Sequence, residues 1–174
     1  MVTIRPEEPA DAKSVHDLTA RAFAASDLGH NGEAPLVDRL RAACPDAISR
    51  VAEIDGRVVG HILFTPAVIK SPPGDLAGMG LAPMSVDPDL QRQGIGSRLV
   101  EAGLEVARQA GHPFVIVLGH PEFYPRFGFE RASRHGVTCE FEGVPDELFR
   151  VLFFQDPPSG LSGVAKYHPE FRAA

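Results

Sequence analysis

Cysteine is scarce in this chain: among 174 residues there are only Cys44 and Cys139. They lie far apart, which excludes a zinc-ligand spacing and a dense disulfide framework. Two reduced thiols in or near the core are expected instead, and no metal centre. Long apolar runs are missing as well. No stretch approaches the ~20 residues of a membrane span. The opening MVTIRPEEPADAKS carries several charges and no apolar segment, so no signal peptide is expected. These absences point to a cytoplasmic protein with no membrane partner. Positive charge is not in excess either, with 17 Lys and Arg against 23 Asp and Glu and a net charge of -6. A sequence-independent nucleic-acid binder needs a basic face, so no nucleic-acid partner is expected. The acidic balance weakly favours a cationic ligand. Two nucleotide motifs are absent too. The chain has no Gly-Lys pair, which excludes a P-loop. Leu99 stands where a dinucleotide fingerprint beginning at Gly94 needs its third glycine.

What remains is an ordinary globular composition, 44% apolar and 23% charged, at a length that suits one domain over residues 1–174. Val2 to Arg5 reads as a strand. Pro9 opens a helical pattern carrying Val15, Leu18, Ala22 and Phe23, which the stretch from Ser26 to Gly32 breaks. A second helix follows from Glu33 to Ala43. Ile48 to Ile54 and Val58 to Ile69 read as strands, joined by the hairpin signal Asp55-Gly56. Gly80 to Val86 reads as a strand in which Pro83, lacking an N–H, requires a bulge or an unpaired edge. Ile95 to Ala110 is the clearest helix, with Gly111 placed to end it. Phe114 to Leu118 is a short apolar run suited to a buried strand. Further strands are expected near Val137 to Phe141 and Arg150 to Gln155. Val151 to Phe154 is either core or an edge paired with a second subunit, so monomer and homodimer both stay open. The order predicts an α+β fold with a mixed, mostly antiparallel, central sheet flanked by helices on both faces.

The most informative segment is Met84 to Gly96, MSVDPDLQRQGIG. A strand ends, a turn follows and a long helix begins, and helix N-termini present unpaired N–H groups and partial positive charge to anions. Gly94 and Gly96 allow close main-chain approach. Gln91, Arg92 and Arg98 add donors. The pattern therefore suits a diphosphate; a glycine pair that merely relieves a tight turn is the plainer alternative.

Gln91 to Gly96, QRQGIG, resembles the [QR]-x-x-G-x-[GA] signature of the GNAT N-acetyltransferases, and Ser97 to Gly103 continue the match. Tyr124 to Phe129, YPRFGF, is similar to that family's Y-x-x-x-G-F motif. LAPMSV, VLGHP and FYPRFGF together look most like its YhbS-like branch. The resemblance implies transfer of an acetyl group from acetyl-CoA, as cosubstrate, to a primary amine. It implies that Met84, Ser85 and Val86 line the pantetheine arm, on a strand that splays from Phe114–Leu118. It implies that Gln91, Arg92, Gln93, Gly94, Ile95, Gly96 and Ser97 surround the pyrophosphate. Tyr124 would be the general acid for the departing sulfur, because a phenol with a pKa of ~10 carries its proton at neutral pH. Pro125 departs from the commoner pattern, which leaves the direction of that hydroxyl open.

Glu33, in a segment similar to the YhbS-like branch, is the candidate base, with His120 and Glu122 as rivals. A first-turn acid placed for the helix dipole is the bland reading of Glu33. His30 and His61 read as a loop polar group and a satisfied strand histidine. A catalytically silent acyl-CoA-binding sensor or interaction module on the same fold is the alternative function. The acceptor amine, on a small molecule or a peptide, is not named by any motif.

Overall fold

The structure is a computed structural model and describes residues 1–26 and 32–173. Two compact units are each assembled from separated stretches of chain. The first takes residues 1–64, 83–105 and 169–174, and the second takes 65–82 and 106–168.

In the first unit, β1 (Thr3–Pro6) pairs antiparallel with β2 (Ile48–Ile54), and β2 pairs antiparallel with the first half of β3 (Arg57–Lys70). Asp55 and Gly56 join β2 to β3 with φ of 50° and 76°. Two successive positive φ values match the right-handed twist of the strands, which is why Asp-Gly suits this turn. The helices α1 (Ala12–Ala24) and α2 (Glu33–Ala43) bury Val15, Leu36, Val37 and Leu40 with Cys44, Val51 and Leu63. The third helix, α3 (Ile95–Gln109), lies close on β3 because two glycines leave room for it. A Cβ on Gly60 would stand 2.9 Å from Leu99 Cδ1, and one on Gly103 would stand 2.1 Å from Phe64 Cε1.

In the second unit, β4 (Leu76–Val86, here up to Ala82) runs parallel to β5 (Phe114–Leu118), the long connection through α3 making a parallel pair possible. The register runs from Met79 opposite Val115 to Leu81 opposite Val117. It stops before Pro83, whose ring has no N–H to offer. Next to β5 comes β8 (Phe149–Phe153), then the two-residue β6 (Glu130–Arg131). The second half of β3 pairs with β9 (Gly163–Lys166), which pairs in parallel with β7 (Val137–Cys139). The fold is thus a mixed, mostly antiparallel sheet flanked by helices.

Two departures from the sequence reading, and one alternative it left open, are informative. The strand expected from Gly80 begins at Leu76, and its glycines are sites of ring packing. A Cβ on Gly78 would meet the Phe114 ring at 2.6 Å. The four-residue β9 was not anticipated, because Ala165 finds its partner at Ile69, far back in the chain. β8 is bonded on both sides, to β5 and to β6, so Val151 is core and not the edge of a sheet. Both cysteines are free thiols, Cys44 buried and Cys139 half-buried. Among the described residues no helix is long and apolar enough to cross a membrane.

Candidate active site

The turn between β4 and α3 lies in the first unit and is built around Asp87. This residue is buried, and its N–H donates to Val59 O at 2.8 Å. Its Oδ1 accepts the Asp89 N–H at 3.0 Å, capping a one-turn 3-10 segment (Pro88–Leu90) whose first residue is proline. Its Oδ2 accepts from the Arg21 guanidinium at 2.7 Å, which ties α1 to the turn. Gln91 Nε2 donates back to Val86 O at 3.2 Å. One carboxylate therefore fixes where the following residues go. Asp-Pro is a local capping signal that the sequence reading did not take up, whereas Arg21 has no such signal, since 66 residues separate it from Asp87.

Beyond the cap the chain is open. Gln91, Arg92, Gln93 and Gly94 are exposed, with φ of 64° at Arg92 and 85° at Gly94. A Cβ at Gly94 would meet nothing within 4 Å, so only the backbone conformation there asks for glycine. The Arg98 N–H reaches Gly94 O at 3.1 Å and begins the helical ladder. The amides of Ile95, Gly96 and Ser97 precede it and belong to the unpaired set at a helix start. The first turn of α3 holds no acidic residue to oppose an anion. On β4, Met84 and Val86 are half-buried while Ser85, between them, is buried, as strand alternation requires. The buried Ser85 hydroxyl has no hydrogen-bond partner among the described residues.

Glu33 is the first residue of α2 and half-buried, in a turn where the helix dipole favours an acid. His30 lies outside the described residues, as do 27–31 as a whole. His61 is fully buried on β3, with Nε2 2.9 Å from Ser49 Oγ and 3.4 Å from Glu7. It belongs to a buried network with Glu7 and Arg41, although its Nδ1 has no partner among the described residues.

Tyr124 lies in the second unit, as the first residue of a 3-10 turn (Tyr124–Phe127) that ends at Gly128 with φ 96°. Pro125 is the second residue of that turn, where its missing N–H costs nothing, and its carbonyl accepts the Gly128 N–H. Phe123 and Phe129 stand edge-on to the Tyr124 ring, at 5.0 and 5.7 Å between centroids. The ring occupies the place of the side chain that Gly119 lacks, since a Cβ there would stand 2.4 Å from Cε2. Burial pushes the phenol above its ordinary pKa, so it stays protonated across the physiological range. His120 and Glu122, the rivals to Glu33, are exposed in the preceding turn. Close to this aromatic group is a residue the sequence reading passed over: the buried Tyr167, whose hydroxyl bridges Leu118 N–H and Leu81 O.

Residues 3–132 match the model of the acetyltransferase (GNAT) domain. The chain belongs to the GNAT acetyltransferase family. It is 34% identical to the N-acetyltransferase YhbS of Escherichia coli K12 over 169 residues, 97% of each chain. It is 40% identical to the E. coli N-acetyltransferase YjhQ, covering 83% of this chain and 78% of that one. Among solved structures, E. coli YhbS in complex with CoA superposes with a TM-score of 0.85 at 34% identity, covering 98% of this chain and 92% of that one. A GNAT acetyltransferase from Brucella melitensis in complex with acetyl-CoA gives 0.80 at 35% identity, covering 98% of each chain.

Proposed function

We propose that this protein transfers the acetyl group of acetyl-CoA to a primary amine of a small molecule or peptide, working as one acetyltransferase domain. The observation that carries this reading is the turn from Asp87 to Ser97, with its capped entry, its positive-φ glycine and the amides at the start of α3. Two relatives at about one-third identity, matched along nearly their whole length, form complexes with CoA and acetyl-CoA, which supports the same ligand here. The residues present fit it. The amides of Gly94 to Ser97 suit a pyrophosphate, with Gln91, Arg92 and Gln93 exposed beside them. Ser85, in the segment assigned to the pantetheine arm, carries a buried hydroxyl that still needs a partner.

The cosubstrate supplies an activated acetyl thioester. Tyr124 holds the proton that the departing sulfur requires, and burial keeps it in place until then. Glu33 takes the proton of the acceptor amine, directly or through water. The amine arrives from solution, and the net charge of -6 favours a cationic one. We place the protein in the cytoplasm, where two free cysteines are the ordinary condition.

A thermal melt tests the ligand. Acetyl-CoA at about 100 times Kd adds ~2.7 kcal/mol, a rise of roughly 5–10 °C for a chain of this size. ATP and NAD at the same concentration should give no such rise. An unmoved melt at saturating acetyl-CoA would sink the proposal.

A further inference from the structure

The reaction as proposed leaves one of the chain's two tyrosines without a role. Tyr167 follows directly on β9, and its ring is buried. The hydroxyl accepts the Leu118 N–H at 3.1 Å and donates to Leu81 O at 3.2 Å. Leu81 stands opposite Val117 in the final pair of the β4–β5 ladder. In a parallel ladder a carbonyl accepts from the residue one beyond its opposite number, which for Leu81 is Leu118. The phenol therefore stands where a direct main-chain bond would continue the ladder.

The ring is held in that position from several sides. Gly80 makes the space, because a Cβ there would come within 2.7 Å of the ring carbons. The Glu140 carboxylate accepts the Tyr167 N–H at 2.6 Å, and β9 fixes the approach of the chain through its pairing with β3. Burial, and then the nearby Tyr124 phenol, keep the Tyr167 hydroxyl protonated and so able to donate to Leu81.

We propose that Tyr167 is a positioning residue: its hydroxyl wedges β4 from β5 at Leu81 and Leu118 and sets the width available to the acyl end of acetyl-CoA. The ligand in this statement rests on the proposed function; the wedge does not. The test is Tyr167→Phe in the full chain, which keeps the ring and removes the bridge. Two measurements separate the parts. In the ligand-free protein, the Leu118 amide resonance should shift and its hydrogen exchange should change. In binding, the Kd for acetyl-CoA should rise about tenfold, the scale of one lost hydrogen-bonding group, while that for adenosine 3′,5′-bisphosphate should change less than about twofold. An unmoved Leu118 amide overturns the wedge. An unchanged acetyl-CoA affinity, or equal weakening of both ligands, overturns the positioning role. If the wild-type protein binds neither ligand, the acetyl-CoA reading has failed, and the amide result alone decides the wedge. Should Tyr167→Phe not fold, Gly80→Ala pushes the same ring from the other side and should give the same split between the two ligands.

Discussion

The turn before α3 and the aromatic group around Tyr124 solve opposite problems with opposite materials. The turn is exposed from Gln91 to Gly94, and the groups we propose to work there are main-chain amides set by local rules: an aspartate cap, a proline at the first position, a glycine at φ 85°. The aromatic group is buried, and the groups we propose to work there are two phenols. Each is seated over a glycine of a neighbouring segment, Tyr124 over Gly119 and Tyr167 over Gly80. An anion can be met by backbone dipoles that any sequence with the right punctuation supplies. A proton donor must be one side chain, kept dry and aimed by packing. The first region should therefore fail in affinity, and the proton donor of the second, Tyr124, in turnover.

The strongest way to break this contrast is Tyr124→Phe. A positioned general acid contributes about 100-fold or more, so kcat should fall by roughly that factor while KM for acetyl-CoA stays within about twofold. Steady-state thiol release measures both, and an unchanged kcat would remove Tyr124 from the mechanism.

A pH experiment supplies the control that belongs to neither region. Burial alone would raise the pKa of Glu7, but hydrogen bonds with His61 and Arg41 outweigh it and hold the carboxyl at about 2, against 4.5 for an unperturbed one. A depressed folded-state pKa gives stability that is present above 4.5 and lost as the pH falls from there toward 2. The share at stake is on the order of 2 kcal/mol. Melts between pH 7 and pH 3 should show the wild type losing stability faster than Glu7→Gln, with acetyl-CoA affinity at pH 7 altered little. Parallel slopes for the two proteins would mean that the network does not hold this carboxylate.

Next in size is Gly94→Ala. The added Cβ touches nothing, so its whole effect is the backbone strain of φ 85° in a residue other than glycine. That is on the order of 1–2 kcal/mol, or about tenfold in acetyl-CoA affinity if the turn relaxes to escape it. Calorimetric titration should record a weaker Kd with kcat preserved at saturation; a fall in kcat instead would blur the division between the regions.

The smallest effect is expected from Asp87→Asn, which keeps a cap acceptor but weakens the tie to Arg21. About 1 kcal/mol is at stake, a melting shift of roughly 2–4 °C, with KM for acetyl-CoA up a few-fold. Arg21→Ala should act in the same direction and less strongly, since that guanidinium is more than half exposed. Additive effects of the two changes would show that they do not act through one another.

Much of the fold was legible because its signals are local. The Asp55-Gly56 hairpin, the apolar stripe of α3 and the run from Phe114 to Leu118 each announce themselves within a dozen residues. The start of β4 was not legible, since the reading began the strand at Gly80 and the rings that Gly78 and Gly80 accommodate, Phe114 and Tyr167, lie far along the chain. Glu33 was legible as the start of α2, where the helix dipole favours an acid in the first turn.

By itself, then, the sequence determined the family and the turn from Asp87 to Ser97. Caps, positive-φ glycines and helix starts depend on neighbours along the chain, so spacing is enough to encode them. Only the tertiary structure decided that Arg21 grips Asp87, that β8 is interior, and that Tyr167 stands at the end of the β4–β5 ladder. Those relations join residues dozens of positions apart. They are fixed by burial and by hydrogen bonds that exist once the strands have found one another, and no spacing in the sequence records them.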